Sequence, residues 1–237
     1  MTPSEPERSQ SVMPSSPILP KLNIGVLGGT GPQGRGLGLR FAKAGHSVVL
    51  GSRSEQRAQD SAAELAPLVS GGSLTGAGNE LAATGRDIVI IAVPWEGHAD
   101  TLRELAPTLV GTVVVDCVNP MGFDKQGAYA LPVAEGSAAQ QAAAILPESS
   151  VVAAFHHVSA VLLLDPEVHS VETDILVLGD DREATDLVQA LADSVPGMRG
   201  VYGGRLRNAG QVEALTANLI SINRRYKAHA GLRVTDV

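Results

Sequence analysis

The chain has 237 residues, 44% apolar and 18% charged, with a formal net charge of -7. That length suits one large domain or a main domain with a smaller appendage, and the apolar share supports a packed core. The acidic balance argues against nucleic acid as a general partner, since phosphate binding calls for a basic face. A single cysteine, Cys117, leaves no internal disulfide and fits a reducing compartment. No apolar stretch reaches the about 18–20 residues that cross a bilayer, so no membrane partner is expected.

Residues 1–20 are rich in Ser and Pro and contain no apolar core of a secretory leader. They read as a disordered extension, because they bury too little apolar surface to offset their ordering entropy. A cytoplasmic location follows as the expectation. The folded part divides, on this reading, into 21–150 and 151–237.

An apolar run over 24–27 predicts a buried strand, and 35–44 predicts a helix. Between them stands Gly28-Gly-Thr-Gly-Pro-Gln-Gly34, which places Gly29, Gly31 and Gly34 in a Gly-x-Gly-x-x-Gly turn. In that context Gly29 permits the tight turn, Gly31 lets a pyrophosphate approach the backbone, and Gly34 lets helix and strand pack closely. The N–H groups at the helix start then face an anion. A dinucleotide site is expected here.

Residues 46–50 predict a second strand, 54–66 a helix, 73–75 a small strand and 79–83 a short helix. The continuous apolar run 87–93 predicts a strand covered on both faces, stopped by Pro94. Further strands are expected at 112–116, 151–155 and 175–178, and helices at 99–106, 137–145, 182–194 and 209–229. Residues 119–132 read as loop, and the last helix packs either across the sheet or against a second subunit. Alternating strands and helices predict an α/β fold: a Rossmann-type parallel sheet, right-handed crossovers, helices on both faces and a smaller C-terminal helical or α+β portion.

The tip of the second strand bears on the choice of dinucleotide. An NAD site places a carboxylate there; here the chain reads Leu50-Gly-Ser-Arg53, with Arg57 four residues on. Guanidiniums grip a phosphate with paired bonds, and Ser52 adds a hydroxyl, so the site reads as built for the 2′-phosphate of NADP. On this reading Arg53 and Arg57 share a helix face; the competing reading is two ordinary solvated surface arginines. Ala92, Val93 and the tryptophan Trp95, expected at the rim, end the third major strand; Asn119 follows the fourth.

These segments, with Val93-Pro-Trp-Glu96, Gly179-Asp-Asp181 and Val212-Glu-Ala-Leu-Thr216, resemble the NADPH-dependent coenzyme F420 reductases (F420:NADP oxidoreductases). The resemblance runs from about residue 21 to near the C-terminus. It implies hydride transfer between NADP(H) and the 5-deazaflavin of coenzyme F420, commonly in a homodimer. It further implies that 21–150 binds NADP and 151–237 completes the F420 cleft. By this resemblance Thr30, Gly31, Pro32 and Gln33 hold the NADP phosphates. Ser52, Arg53 and Arg57 take the 2′-phosphate, and Val93, Gly97 and Asn119 line the ribose and nicotinamide. His156, Val158 and Ala160 meet the deazaflavin or the nicotinamide amide, and the helix near Ala230 closes the pocket. The family often reads Thr-Ile-Pro-Ala where this chain has His157-Val-Ser-Ala160, which loses a proline and adds a histidine.

The residues themselves carry no Ser-His-Asp arrangement, no paired catalytic carboxylates and no metal-ligand spacing. Hydride transfer between stacked rings needs none of these; it needs proximity and a dry site. Cys117 reads as a packing residue. His156 is the catalytic candidate, donating to a deazaflavin carbonyl or stabilising charge near N1 of the ring. His156 and His157 follow a strand and are expected to point to opposite sides; the competing reading leaves one satisfied in a loop and the other exposed. Arg205, Arg207, Arg224, Arg225 and Lys227 are either an anion-binding rim for the F420 tail or solvated. Two other functions compete: an NADP-dependent reductase of a small imine or carbonyl, with Tyr129, Tyr202 or the histidines as proton donor, and a non-catalytic NADP sensor.

Overall fold

The computed structural model describes residues 19–237. The expectation for the N-terminal extension therefore lies outside the described residues up to position 18.

The strands are β1 Asn23–Leu27, β2 Ser47–Ser52, β3 Ser73–Gly78, β4 Ile88–Ile91, β5 Val113–Asp116, β6 Met121–Asp124, β7 Gly127–Ala130, β8 Ser150–Ala153, β9 Thr173–Gly179 and β10 Met198–Gly204. The helices are α1 Pro32–Lys43, α2 Glu55–Leu65, α3 Asn79–Ala83, α4 His98–Leu105, α5 Ala138–Ile145, α6 Ala160–Leu164, α7 Arg182–Asp193 and α8 Ala209–Tyr226. Eight strands form one sheet in the order β10-β9-β8-β5-β4-β1-β2-β3.

Side chains alternate between the two faces of this sheet. On β4, Ile88 and Ile90 enter the core with Leu37 and Phe41 of α1, while Val89 and Ile91 enter the core with Leu102 of α4 and Ala139 of α5. Both faces are covered, which is why the run reads as apolar throughout rather than alternating. Each fully buried Ile or Leu contributes about 1.5–3 kcal/mol relative to exposure.

Register matters more for function than layer order. Gly51 pairs with Leu27, Leu27 with Ile91, Ile91 with Asp116, and Asp116 with Ala153. Five parallel strands thus end in a single row, and the loops that follow them emerge along one edge. The chain leaves β1 toward β2 and β3, then returns to build β4, β5 and β8 on the other side. The switch between β1 and β4 opens the crevice in which doubly wound sheets bind ligands.

Three expectations change. Residues 119–132 are not all loop: β6 and β7 form an antiparallel hairpin whose turn is tied by Asp124 Oδ1, which accepts from the N–H groups of Gln126 and Gly127. The sheet is not wholly parallel, because β9 runs antiparallel to β8, with β10 parallel to β9. The last helix ends at Tyr226, where Lys227 adopts a left-handed cap. That helix packs on α5 and the β6–β7 hairpin.

Candidate active site

The glycine turn closes the β1 tip. Gly28, with φ of +79°, is the residue that takes the left-handed turn, so the sharp bend falls one position before the expected Gly29. Gly29 has a different constraint: a Cβ there would lie 2.7 Å from Leu50 Cβ, and its N–H donates to Gly51 O at 2.9 Å. Gly34 plays its expected part, since a Cβ would meet Gly28 O at 2.5 Å. A Cβ at Gly31 meets nothing closer than 3.4 Å, so the protein's own packing does not demand that glycine. The open side is where a pyrophosphate would pass.

Gly31 caps α1 without a side-chain hydrogen bond, and the first turn has no acidic residue. The Gly31 N–H turns back to Gly28 O, Pro32 has none to give, and Arg35 N–H reaches Gly31 O. Among the described residues, the Gln33 and Gly34 N–H groups are left without a carbonyl, as an anion site at a helix start requires. The Gln33 side chain is engaged elsewhere: its amide donates to Phe155 O at 3.3 Å. Thr30 is half-buried and Pro32 exposed beside this turn.

Next in the row, the β2 tip presents Ser52 and Arg53. Arg53 lies in the bend before α2 rather than on the helix, because Ser54 caps α2 through the Arg57 N–H at 3.4 Å. The two guanidiniums therefore do not share a helix face as expected, although both flank the same corner. Both side chains are exposed, and neither is ion-paired among the described residues.

The β4 and β5 tips form the middle of the row. Val93 is half-buried, and a Cβ on Gly97 would meet nothing within 4 Å. Trp95 is half-buried rather than fully at the rim, with its ring 5.5 Å from that of His98. Cys117 is buried and donates its thiol hydrogen to Ile91 O at 3.1 Å. Burial, with the Asp116 carboxylate, pushes the thiol up, so it stays protonated. The packing role holds.

Phe155 carries the chain out of β8 with φ of +62°, a left-handed conformation that costs a non-glycine residue about 1–2 kcal/mol. Edge-on packing against Phe41, with ring centres 5.5 Å apart, and the Gln33 amide hold it there. Strain of this kind is often stored at functional sites. The turn sets His156 against Asn119. Asn119 Nδ2 donates to His156 O at 3.2 Å, which points Asn119 Oδ1 at His156 Nδ1, 3.1 Å away. Nδ1 therefore carries the proton, and Nε2 is a bare lone pair, buried and without a partner among the described residues. Burial pushes this imidazole down to about 4, against an opposing pull from Asp116, so it is neutral. With Nδ1 engaged by Asn119, a donation from His156 to a deazaflavin carbonyl would have to come from a ring nitrogen other than the unpartnered Nε2 of this tautomer.

His157 is not exposed either. It is buried, and its Nε2 donates to Val212 O at 2.6 Å, which makes it the satisfied member of the pair. Val158 is buried in the core, so only its backbone faces the edge. Ala160 opens α6. Ala230 lies beyond the end of α8, not on it; its N–H donates to Asn223 Oδ1 at 2.7 Å, and the adjacent His229 Nδ1 lies 3.4 Å from Ser159 Oγ. The tail, rather than the helix, lies by the 156–160 loop. Arg205 is paired with Asp180 at 3.5 Å, and Arg224 and Arg225 line a groove with Phe123 and Gly127 of the hairpin.

Sequence reasoning missed a buried polar group beneath this edge. His98 Nε2 lies 2.6 Å from Asp116 Oδ2, with both side chains fully buried. Glu213 of α8 accepts from the Ala138 and Ala139 N–H groups at the start of α5, and burial raises it to about 7. The one sequence signal for this group was an aspartate closing the apolar run of β5.

The family model for coenzyme F420-dependent NADP oxidoreductases matches residues 23–120. The F420-dependent NADP reductase of Methanothermobacter thermautotrophicus is 36% identical over 223 residues, covering 91% of this chain and 96% of that protein. The chain belongs to the F420-dependent NADP reductase family. A second family member, from Methanocaldococcus jannaschii, is 35% identical over 224 residues and is covered to 99%. A crystal structure described as a putative F420-dependent NADP reductase from Arthrobacter sp. FB24 superposes with a TM-score of 0.74 at 25% identity, over 90% of this chain and 99% of that one. A pyrroline-5-carboxylate reductase from Coxiella burnetii shares the fold at a TM-score of 0.58 and 15% identity. The resemblance read from the glycine turn, Gly51-Ser-Arg53 and Val93-Pro-Trp-Glu96 is thereby borne out, and so is the Rossmann-type fold.

Proposed function

We propose that this chain is an oxidoreductase that transfers a hydride between NADP(H) and coenzyme F420. The observation that carries the reading is 36% identity across nearly the whole length of a reductase of that name, because it spans both the 21–150 half and the 151–237 half. The donor set fits the phosphates: an uncapped helix start, an open Gly31 and two guanidiniums with no acidic partner among the described residues. When bound, the two cofactors supply the redox chemistry, C4 of the nicotinamide exchanging hydride with C5 of the deazaflavin.

The protein's part is to hold and align. Gly29, Thr30, Gly31, Pro32, Gln33 and Gly34 present the turn and backbone N–H groups to the pyrophosphate. Ser52, Arg53 and Arg57 take the 2′-phosphate. Val93, Gly97 and Asn119 flank the nicotinamide end. His156 stands beside the site of the bound rings, where its Nε2 can accept from a ring N–H once binding opens the packing that buries it, while the backbone at Val158, Ala160 and the Ala230 tail border the deazaflavin. Holding the reacting carbons within about 3–3.5 Å in a water-poor cleft is the main source of rate.

The division of labour between 21–150 and 151–237, a cytoplasmic location and a homodimer complete the proposal. Exposed Phe123, Tyr129, Ile222 and Tyr226 on the hairpin and α8 support self-association; light scattering on the eluted protein tests it. Among the described residues no helix is long and apolar enough to cross a membrane. Reduction of an imine or carbonyl would need a proton donor. Neutral His156 has no proton at Nε2, and Tyr129 and Tyr202 are exposed on the hairpin and the edge strand. Deuterium placed at both C4 positions of NADPH tests the proposal: one should appear at C5 of the reduced deazaflavin. Its loss to solvent would contradict direct transfer.

A further inference from the structure

The segments after β4 and β5 carry Val93, Gly97 and Asn119, the proposed walls of the nicotinamide site. The backbone ladder between them ends with Cys117 N–H on Ile91 O at 3.2 Å. Beyond that rung, the contact of His98 Nε2 with Asp116 Oδ2 at 2.6 Å is the hydrogen bond that joins the two segments among the described residues. Gly97 is the residue before His98, and Asp116 stands three before Asn119. The other carboxylate oxygen, Oδ1, accepts from Val118 N–H at 2.9 Å and so sets the turn that delivers Asn119, which in turn orients His156.

Hydrogen bonding favours the cationic form of His98. His98 Nδ1 faces Gln141 Oε1 at 3.0 Å, and the Gln141 amide is oriented by its own donation to Glu135 Oε2 at 3.3 Å. Both ring nitrogens therefore meet acceptors and both carry hydrogen. Burial pulls the imidazole down, but Asp116, Gln141 and the charge of Glu213 together raise it above its ordinary value. The groups packed on it are Asp116 from β5, Gln141 from α5 and Glu213 from α8, with the Trp95 ring on its own segment and the start of α4 disfavouring a cation.

We propose that His98 and Asp116 are positioning residues, a buried imidazolium–carboxylate clasp that keeps the 93–97 and 117–119 segments at the spacing the nicotinamide end of the cofactor requires. This rests on the NADP reading above. A buried ion pair adds little net stability over apolar packing, and its best-attested use is to fix one arrangement over others.

The test compares two ligands by calorimetry: NADPH, and 2′,5′-ADP, which carries the 2′-phosphate but no nicotinamide. The variant His98→Gln/Asp116→Asn keeps both shapes and removes both charges of the pair together. It is expected to bind 2′,5′-ADP within about twofold of wild type and NADPH about tenfold more weakly. Equal losses for both ligands, or an unchanged ratio in the folded variant, overturn the proposal. Should the variant fail to fold, the wild-type protein decides. As pH is raised through the transition at which His98 loses its proton, followed by its ring-proton chemical shift, the preference for NADPH over 2′,5′-ADP should shrink, and a ratio that stays flat across that transition overturns the proposal. A wild-type protein that binds neither ligand refutes the NADP reading itself, a result distinct from both.

Discussion

Asn119 and His156 fix each other from two directions: the amide donates to the His156 carbonyl at 3.2 Å, and the imidazole Nδ1 donates to the amide oxygen at 3.1 Å. The pair leaves Nε2 as a buried acceptor. A ring N–H that meets it gains one hydrogen bond, worth about 0.5–1.5 kcal/mol. His156→Ala is therefore expected to lower kcat/KM for F420 by about two- to tenfold and leave the NADP dissociation constant nearly intact. Steady-state kinetics with calorimetry separate the two, and equal losses in both would count against the assignment.

Arg53 sits at the β2 tip with no acidic partner among the described residues. Its guanidinium should matter only when a 2′-phosphate is present. Arg53→Ala is expected to weaken NADPH by about tenfold and to leave NADH unchanged. A parallel loss for both nucleotides would show that the arginine acts on the fold instead.

The glycines of the turn should fail in different ways. A Cβ at Gly31 meets only Gly28 O at 3.4 Å, whereas one at Gly34 meets Gly28 O at 2.5 Å. Gly31→Ala is expected to melt near wild type while losing about tenfold or more in NADP affinity. Gly34→Ala should lower stability by about 1–3 kcal/mol through overpacking, read as a lower midpoint in urea. A Gly31→Ala variant that binds NADP normally would remove the pyrophosphate from this position.

Acid should unfold the protein partly through His46. That ring is buried, accepts from Leu22 N–H at 3.2 Å and lies 3.2 Å from Ser194 Oγ, and burial lowers it from its ordinary 6.5. Between the folded and unfolded values the unfolded chain binds more protons, so stability is full above about 6.5 and falls as pH drops through the folded value. Denaturation midpoints should decline below about pH 6.5, with His156 contributing over the same range until its folded value of about 4 is reached. His46→Gln should make that decline shallower, and an unchanged profile would acquit His46.

What the sequence showed and hid follows from which interactions are local. The glycine turn, the apolar strands and the basic β2 tip are contiguous patterns, and each was legible. The β6–β7 hairpin was not: its residues are half-buried or exposed, so no alternation marks it, although Asp124-Lys-Gln-Gly127 is a turn signal in retrospect. Three glycines disguised β10, an edge strand that among the described residues pairs with β9 alone. The antiparallel entry of β9 depends on where the 154–172 connection lands, and no local pattern records that. His98 and Asp116 are 18 residues apart, and only the parallel register of β4 and β5 brings them together. Arg40 of α1 is likewise buried by distant partners, donating to the Leu162, Leu163, Asp165 and Val168 carbonyls.

The decisive measurement is to mix the purified protein with NADPH and oxidised F420 and follow the deazaflavin absorbance. Hydride transfer between the two should bleach it rapidly, with one NADPH consumed per deazaflavin reduced and far slower bleaching when NADH replaces NADPH. Tight NADPH binding with no bleaching would leave a nucleotide-binding protein without this activity, and equal rates with NADH would contradict the site built around Ser52, Arg53 and Arg57.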